Sequence, residues 1–343
     1  MKIGFCCKWL NDPSECRGMK INAKDRDLNG RSTTMRWLRE HPEDAEQRQW
    51  DIMNHNAQAA LKMVERVGSL PEERKMVRLG SEMLQGYTEP NWIEWWQQSH
   101  IQNHLAKIFS PVGEASKRLG VKISFHPGQF CVLASDRPDV AERSRLEFEY
   151  HADMARWMGF GKSFQDGCKL NVHISGKRGP QGIIDMIPKL SPEARNLLTI
   201  ENDEMGWGLD ASLELEKHCA LVLDIHHHWI RDEEYIQAND DRVKRVVDSW
   251  RGSRPTLHYS YSRDEALEPA GLGENIHSHM HDIKKLLELG CKKQKLRAHS
   301  DFFPNLAVNE WALSFGEYFD IQAEAKGKNL ASQQLYDLFI STK

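Results

Sequence analysis

Residues 197–224 read LLTIENDEMGWGLDASLELEKHCALVLD and contain one strand–helix–strand unit. The apolar runs Leu197–Glu201 and Ala220–Asp224 have the length of buried strands, and each ends in a carboxylate. Between them, Ala211–His218 keeps apolar residues three and four positions apart, which is typical of an amphipathic helix. Because this crossover is long enough to bring the second strand back parallel to the first, the stretch predicts a parallel β/α unit.

The same alternation extends along the whole chain. The six further strand-like runs are Lys2–Cys6, Met76–Leu79, Val121–His126, Lys169–His173, Thr256–Tyr259 and Phe319–Ala323. The amphipathic patterns between them predict helices at Ala57–Val67, Val140–Trp157, Arg242–Trp250 and Ile276–Leu289. Eight alternating units indicate an α/β fold, a closed TIM-type (β/α)8 barrel.

No linker divides the 343 residues, so we expect a single barrel domain over residues 1–343. The polar stretch of about residues 11–50 predicts an elaborated first β/α connection with one short helix near Thr33–Glu40. Residues 264–281 predict a loop insertion. In the long helical region Trp92–Leu119, Pro111 predicts a break, because proline removes a backbone donor.

The composition, 40% hydrophobic and 28% charged, is that of a soluble globular protein. No run approaches the roughly 20 apolar residues of a membrane span, and the first ten residues lack the apolar region of a signal peptide. Seven cysteines without a paired framework indicate reduced thiols. We therefore expect a protein of the cytoplasm or nucleoid that does not associate with membranes.

The net charge of −4 argues against indiscriminate binding of polyanions, which needs clustered Lys and Arg. A local basic groove remains compatible with this charge. Its candidate residues are Lys292, Lys293, Lys295, Arg297, Arg137, Arg143 and Arg145. Charge runs of this kind are also typical of solvated surfaces.

Polar residues lie at or next to the ends of six strand-like runs. They are His126, His173, Glu201, Asp224, His258 and Glu324. In such barrels the chemistry takes place at the C-terminal ends of the strands, and an imidazole or carboxylate is costly beside apolar strands. Singly, His126 could be a turn residue, His173 a core histidine and Glu324 a partner of Lys326. Together, the six positions favour one shared site.

Imidazoles and carboxylates are the ligands that Zn, Mn and Fe prefer, and a carboxylate can bridge two ions. Three histidines follow Asp224, and since neighbouring side chains diverge, we select His227 as the one that faces the site. His299 and Asp301 are two apart on a predicted extended segment, which places both on one side. With no nucleophilic Ser or Cys motif, the set predicts hydrolysis by metal-activated water, and phosphodiesters suit it. A sugar isomerase can also use two metals in a barrel.

The order of these motifs resembles that of the UV damage endonuclease family of DNA repair enzymes, relatives of endonuclease IV. Ser124-Phe-His-Pro-Gly-Gln129 is similar to the family's Ser-x-His-Pro-Gly-Gln and is the most specific motif. The other matching segments are Lys2-Ile-Gly-Phe5, Arg78-Leu-Gly-Ser81, Asn171-Val-His173, Glu201-Asn-Asp203, Asp224-x-x-His227, His258-x-Ser260, His299-Ser-Asp301 and Glu324-Ala-Lys326. The resemblance runs through most of the chain.

The resemblance implies two or three divalent ions, manganese above all, with Zn, Mg or Fe as alternatives. It also implies incision of double-stranded DNA on the 5′ side of UV photoproducts or other damaged or modified bases. The metal ligands that it implies are His126, His173, Glu201, Asp224, His227, His258, His299 and Glu324. Glu201 would bridge two ions, and Glu201, Asp224, His258 and Glu324 would be the catalytic core. We expect a monomer.

The family probes damaged bases with a Gln-Tyr pair, and this chain has Gln129 and Phe130 in its place. A phenyl ring can still stack in an opened duplex, because stacking needs only the π-face. Phe5 likewise replaces a tyrosine that is frequent in the family. The resemblance therefore implies three lesion-probing residues and a lesion preference that differs from the family's.

Two departures concern the metals. Thr256 replaces a lysine that the family tends to place two residues before His258, and this puts the third ion in doubt. After the second strand the family supplies a histidine, whereas this chain offers Glu89 as a substitute. Two alternatives therefore stay open: a metal-dependent sugar isomerase or epimerase of the xylose-isomerase-like group, and a DNA-binding protein with an impaired metal site.

Overall fold

A computed structural model describes residues 1–17, 20–128 and 130–342. Eight parallel strands close into a barrel, and two short antiparallel strands lie outside it. The barrel strands are β1 Ile3–Cys6, β4 Met76–Arg78, β5 Lys122–Phe125, β6 Lys169–His173, β7 Leu198–Glu201, β8 Ala220–Asp224, β9 Thr256–Tyr259 and β10 Asp320–Ala323, and the outer pair is β2 Cys16–Arg17 and β3 Lys20–Ile21. Around the barrel the order is β1-β10-β9-β8-β7-β6-β5-β4. The predicted (β/α)8 barrel is confirmed, and each predicted barrel strand is correct to within one residue at either end.

The helices surround the barrel. They are α1 Met35–Glu40, α2 Pro42–Gly68, α3 Ile93–Trp96, α4 Ser99–Leu119, α5 Pro138–Trp157, α6 Gly179–Met186, α7 Pro192–Leu197, α8 Leu209–Leu213, α9 Ile225–Asp232, α10 Asp241–Ser249, α11 Asp264–Leu267, α12 Ile283–Glu288, α13 Lys293–Leu296, α14 Leu306–Leu313 and α15 Lys328–Ser341. No helix in the described ranges is long and apolar enough to cross a membrane.

The strand register places the predicted site residues in two pairs at the carboxyl ends of the strands, offset by two residues because Glu201 lies opposite Val222. His173 on β6 is the register partner of Glu201 on β7, and Asp224 on β8 is the partner of His258 on β9. Because parallel strands bring equivalent positions to the same height, these four side chains lie at one mouth of the barrel.

Four helix predictions were wrong in their extent. One is Ala211–His218, where α8 ends at Leu213 and turns follow, because Leu215, Glu216 and His218 donate to carbonyl oxygens three residues back. The other three concern α2, α4 and α12. The first is α2, which begins at Pro42, inside the stretch expected to be an irregular connection. Proline is favoured at the first helical position, and Glu43 and Asp44 in the first turn complement the helix dipole. The polar composition reflects the solvated outer face of this helix, while Ile52 and Met53 are buried. The predicted short helix before it is present as α1.

The second is the expected break at Pro111, which does not occur, because α4 continues through this residue to Leu119. A proline inside a helix costs about 3 kcal/mol. Burial of one large apolar side chain contributes roughly 1.5–3 kcal/mol. The helix packs against α2 and buries Ile101, Leu105 and Phe109, which together outweigh the cost of the proline.

The third is the predicted helix Ile276–Leu289, which is shortened to α12. The side chain of Asp282 accepts hydrogen bonds from the backbone N–H groups of Lys284 and Lys285 and sets the first turn there. The region of the expected insertion, 264–281, contains α11 and two 3-10 turns.

A charged layer closes the opposite, amino-terminal mouth of the barrel. Lys122 Nζ lies 3.0 Å from Oδ2 of Asp320. The ammonium group of Lys169 donates to the carbonyl oxygens of Phe164 at 2.6 Å and Asn196 at 2.8 Å. Burial lowers the pKa of Lys169 to about 7, because no carboxylate offsets the loss of hydration in full.

Candidate metal centre

Glu201 lies at the centre of the carboxyl-terminal mouth and is 1% exposed. Its Oε1 lies 3.0 Å from Nδ1 of His258 and 3.4 Å from Nδ1 of His227. Its Oε2 lies 3.4 Å from Nε2 of His126 and 3.8 Å from Nε2 of His173. Each oxygen therefore faces two imidazoles, and the two oxygens face different ones, which is the arrangement of a carboxylate able to bridge two ions.

Three overlapping groups of side chains bring potential ligand atoms within 4.8 Å of one another. They are His126–His173–Glu201, Glu201–Asp224–His258 and His173–Glu204–His227. Nitrogen and carboxylate oxygen in this mixture suit divalent transition metals such as Zn, Mn or Fe.

Two buried oxygens show that the donor set fits cations. Oδ2 of Asp224 and Oε2 of Glu204 have no hydrogen-bond partner among the described residues. A buried carboxylate oxygen without a partner is costly. A divalent ion between these groups would compensate both atoms.

The ionisation of the site follows from burial and mutual charge. Burial raises the pKa of Asp224 to about 7. Burial opposes ionisation of Glu201 as well, but the imidazoles of His258 and His173 hold the pKa of Glu201 well below its ordinary range. Burial also disfavours a charged His173, yet the Glu201 carboxylate raises the pKa of His173 to about 9. The protons bound by His173 and Asp224 offset the negative charge of the carboxylates, and a bound ion could take their place.

Neighbouring polar groups hold the ligands in place. Asn171 donates from its side-chain amide to Oε2 of Glu201, and Oδ1 of Asn171 accepts from Thr199 at 3.0 Å. Arg78 pairs with Glu324, whose Oε1 lies 3.4 Å from Nδ1 of His258. Burial works against the charged form of Glu324, but Arg78 keeps its pKa well below the ordinary range. These contacts fix the orientation of two carboxylates.

Of the three successive histidines on α9, His227 is the one that belongs to a metal-compatible group. His226 lies within hydrogen-bond distance of Ser260 and Ser262, at 2.9 and 3.0 Å. His228 lies on the far side, 2.9 Å from Asp232. The geometry agrees with the selection of His227 from the sequence.

Three other predicted ligands lie outside the groups. Nδ1 of His299 is 4.0 Å from Oε2 of Glu324, and burial lowers the pKa of His299 to about 4. Asp301 lies 3.9 Å from Arg263 rather than beside an imidazole of the cluster. Glu89 is exposed and is not brought to the cluster.

The predicted lesion-probing residues do not share one environment. Gln129 lies outside the described residues. Phe130, after β5 and the His126 turn, is 84% exposed. Phe5 is 1% exposed and packs edge-on against Trp9 at 5.9 Å between ring centroids, so it belongs to the core. Of the described aromatic candidates, Phe130 is the one that presents its ring to solvent.

The basic residues considered for a phosphate groove are largely engaged in ion pairs. The pairs are Arg137–Asp139, Arg143–Asp139, Arg145–Glu142, Lys293–Glu233 and Arg297–Glu204. These carboxylates lower the net positive charge that residues 137–145 and 292–297 offer to a polyanion.

Glu204 was missed from the sequence, although the acidic residues of Glu201-Asn-Asp203-Glu204 were a usable signal. Glu204 lies in the turn after β7, with its Oε2 3.7 Å from Nε2 of His227. Asp203 lies beside it, with Oδ2 3.6 Å from Nδ1 of His173. The turn therefore supplies two carboxylates to the mouth in addition to the strand-end residue.

Comparison with known sequences matches residues 15–341 to a protein family described as UV-endonuclease UvdE. A UV-damage endonuclease of Neurospora crassa is 26% identical over 211 residues, which are 57% of this chain and 31% of that protein. A UV DNA damage endonuclease of Bacillus pumilus is 30% identical over 168 residues, 46% of this chain and 51% of that protein. A UV DNA damage endonuclease of Bacillus cereus is 21% identical over 311 residues, 86% and 84% of the two chains. The chain thus spans about a third to a half of the first two relatives.

Two solved structures share the fold. SacUVDE superimposes with a TM-score of 0.70 and 22% identity, covering 100% of this chain and 99% of the other. Endonuclease IV from Thermus thermophilus has a TM-score of 0.50 and 13% identity, covering 82% and 93%. At these identities the likeness establishes a common barrel.

Proposed function

Because the chain belongs to the UV-endonuclease UvdE family, we propose that it is a metal-dependent DNA repair endonuclease. Its substrate would be double-stranded DNA that carries UV photoproducts or other damaged or altered bases, cut on the 5′ side of the lesion. The observation that carries the proposal is Glu201, whose two oxygens are faced by four imidazoles within 3.8 Å at the barrel mouth. One chain supplies all of these side chains, so we expect a monomer that acts where the DNA lies, in the cytoplasm or nucleoid.

The geometry supports two metal positions. His126, His173 and Glu201 would hold the first ion. Glu201, Asp224 and His258 would hold the second, with Glu324 beside them. When bound, divalent ions, manganese foremost, supply charge stabilisation to the phosphoryl group and lower the pKa of water.

Neighbouring side chains fix the orientation of these proposed ligands and so limit the geometries that the ligands can adopt. Asn171 fixes the rotation of the Glu201 carboxylate, and Arg78 does the same for Glu324. Such partners of ligands set both their orientation and their basicity. Asp224, with its pKa near 7, exchanges its proton at neutral pH and so is available as a ligand there.

Recognition of the lesion would use the exposed ring of Phe130. A damaged base pair is more easily unstacked than an intact one, and an aromatic ring can take the place of the displaced bases. Phe130 follows the Pro127-Gly128 turn that begins at the ligand His126, so the stacking ring and the metal site are a few residues apart.

The test is incubation of a duplex containing one pyrimidine dimer with Mn²⁺ or with chelator. We expect a single nick 5′ of the dimer that depends on Mn²⁺ and is lost in Glu201→Gln, while Glu214→Gln, a change at an exposed glutamate after α8, behaves as wild type. A duplex that stays intact with Mn²⁺, Zn²⁺, Mg²⁺ and Fe²⁺ contradicts the proposal. The same duplex with an abasic site tests whether the range of lesions is wider.

A further inference from the structure

We propose that Glu204 is a metal ligand, and that with His227 it forms a third cation position, held in place by Arg297. This inference rests on the proposed metal-dependent function, because it adds an ion to the same mouth. It assigns a role to a residue outside the strand ends, which the proposed two-metal centre does not use.

The hydrogen bond of His227 determines which of its nitrogens is free. Nδ1 of His227 lies 3.0 Å from the backbone carbonyl oxygen of Asn202. A carbonyl oxygen only accepts, so Nδ1 carries the hydrogen, and the neutral ring has its lone pair on Nε2. Nε2 is therefore the atom that His227 offers to an ion.

Two carboxylate oxygens face this nitrogen. Nε2 of His227 lies 3.7 Å from Oε2 of Glu204 and 3.6 Å from Oδ2 of Asp224. Both oxygens are buried and have no hydrogen-bond partner among the described residues. Nε2 of His227 and these two oxygens thus converge, and a cation between them would offset their mutual repulsion in place of protons.

The distances between these atoms are longer than direct hydrogen bonds. An imidazolium that bonded these carboxylates would bring nitrogen and oxygen to about 2.7–2.9 Å. Ligand atoms about 2.0–2.2 Å from one ion lie roughly 3–3.6 Å from each other. The observed separations of 3.6 and 3.7 Å are longer than such a hydrogen bond and lie at or just beyond the upper end of the spacing around one ion. His173 borders this position, with a ring nitrogen within 4.8 Å of the ligand atoms of Glu204 and His227, and its lone pair is left to the proposed first ion.

Arg297 prepares Glu204 for this role. Its Nε lies 2.7 Å from Oε1 of Glu204, and the Glu204 side chain is 5% exposed. One oxygen is therefore committed to the guanidinium and the other is left toward His227. Arg297 is a positioning residue, since it acts on the ion through the carboxylate.

The experiment measures bound manganese on the full-length protein, by equilibrium dialysis against Mn²⁺ followed by elemental analysis. We expect Glu204→Gln to bind one Mn²⁺ fewer per chain than wild type, whereas Glu201→Gln loses the central ions. The exposed Glu214→Gln serves as the matched control with wild-type stoichiometry. Thermal unfolding of each metal-free variant shows that the chain is folded.

Arg297→Met provides a second measurement. Loss of a group that orients a ligand costs about 10- to 100-fold in metal affinity. We expect one ion of Arg297→Met to bind that much more weakly, with full stoichiometry at saturating Mn²⁺ and partial recovery in Arg297→Lys. If Glu204 only stabilises the loop through its ion pair, both variants lose thermal stability but keep wild-type stoichiometry and affinity.

The outcomes separate the two proposals. Unchanged stoichiometry and affinity in Glu204→Gln, with wild type binding Mn²⁺, overturns the role of Glu204 and leaves the proposed function intact. A wild-type chain that binds no Mn²⁺ overturns both.

Discussion

Nδ1 of His258 lies 3.0 Å from Oε1 of Glu201, while the side-chain amide of Asn171 donates to the other oxygen of the same carboxylate. Glu201 is thus held from both sides by residues of two different strands, β6 and β9. The carboxylate on which both proposed metal positions depend has its rotation determined by the protein.

Asn171→Leu removes one of these two restraints. We expect the affinity for Mn²⁺ to fall by about 10- to 100-fold, because a ligand without its orienting partner must be ordered when the ion binds. The number of ions bound at saturation should not change. Mn²⁺ titration of Asn171→Leu and of the exposed control Asn239→Leu checks this. Equal affinities in the two variants would show that Asn171 does not position Glu201.

Metal binding should depend on pH. In the metal-free protein the pKa of His173 is raised to about 9 and that of Asp224 to about 7, so at pH 6.5–8 His173 carries a proton and Asp224 carries one part of the time. An ion must displace these protons, and each proton displaced changes the affinity about 10-fold per pH unit. We therefore expect Mn²⁺ to bind more tightly at pH 8 than at pH 6.5. Calorimetry in two buffers of different ionisation enthalpy should detect at least one released proton, and a buffer-independent enthalpy would contradict the prediction.

The buried Lys169 gives a separate pH dependence of stability. Its pKa is lowered to about 7 in the folded chain, against about 10.4 in an unfolded one. Between these values the unfolded chain holds a proton that the folded chain has lost, so the contribution of Lys169 to stability improves as pH rises, by up to about 1.4 kcal/mol per pH unit. Below pH 7 both states are protonated and the dependence disappears.

Urea unfolding of the wild type and Lys169→Met at pH 7, 8 and 9 isolates this contribution, because other titrating groups are common to both proteins. We expect the free energy of unfolding of the wild type to rise relative to that of the variant over this range. Parallel curves would show that the ammonium group keeps an ordinary pKa in its site.

The exposed ring of Phe130 is expected to contribute to lesion binding. A base–aromatic stack contributes about 1–3 kcal/mol, so Phe130→Ala should weaken binding of a dimer-containing duplex roughly 5- to 150-fold. Mn²⁺ loading should be unaffected. Tyr318→Ala is the matched control, since Tyr318 is also exposed but precedes β10 at the opposite end of the barrel. Equal losses in the two variants would assign the effect to general surface contacts.

The barrel and the convergence of its strand-end side chains were predictable because both follow from local pattern. A short apolar run between helical periodicities specifies a buried strand, and a parallel barrel then brings every strand end to the same mouth. His173, Glu201, Asp224 and His258 needed no further information, since each is the last or next-to-last residue of its strand at the same mouth of the barrel.

Glu204 could not be placed in this way, because its direction depends on a turn. The side chain of Asp203 accepts from the backbone N–H of Met205 at 2.8 Å and also from that of Gly206, which bends the chain directly after β7. His299 and Asp301 show the opposite case, in which two residues that the sequence predicts on one side are separated. The bridge of His299 to Ser262 fixes the segment, and Asp301 then lies beside Arg263 rather than with His299 at the mouth. The spacing of residues in a loop does not determine such directions.

The extent of α2 and the continuity of α4 also depended on tertiary packing. In the sequence, the polar residues of α2 have the composition of a loop, and Pro111 is typical of a helix end. The packing of α2 against α4 stabilises both helices, and local sequence does not reveal it. Propensity is a weak prior where a large apolar face is buried.

The two carboxylate oxygens of Asp224 have different roles. Its Oδ1 accepts the backbone N–H of His227 at 2.7 Å and caps α9, while its Oδ2 faces the imidazole of the same residue. The helix that presents His227 is therefore set by a backbone hydrogen bond and not by an ion. The proposed site is thus preorganised, so the proposed ions would bind without the chain folding around them. On this proposal one divalent ion would replace another without unfolding the chain, and the metal bound in a cell would follow from which ion is abundant there.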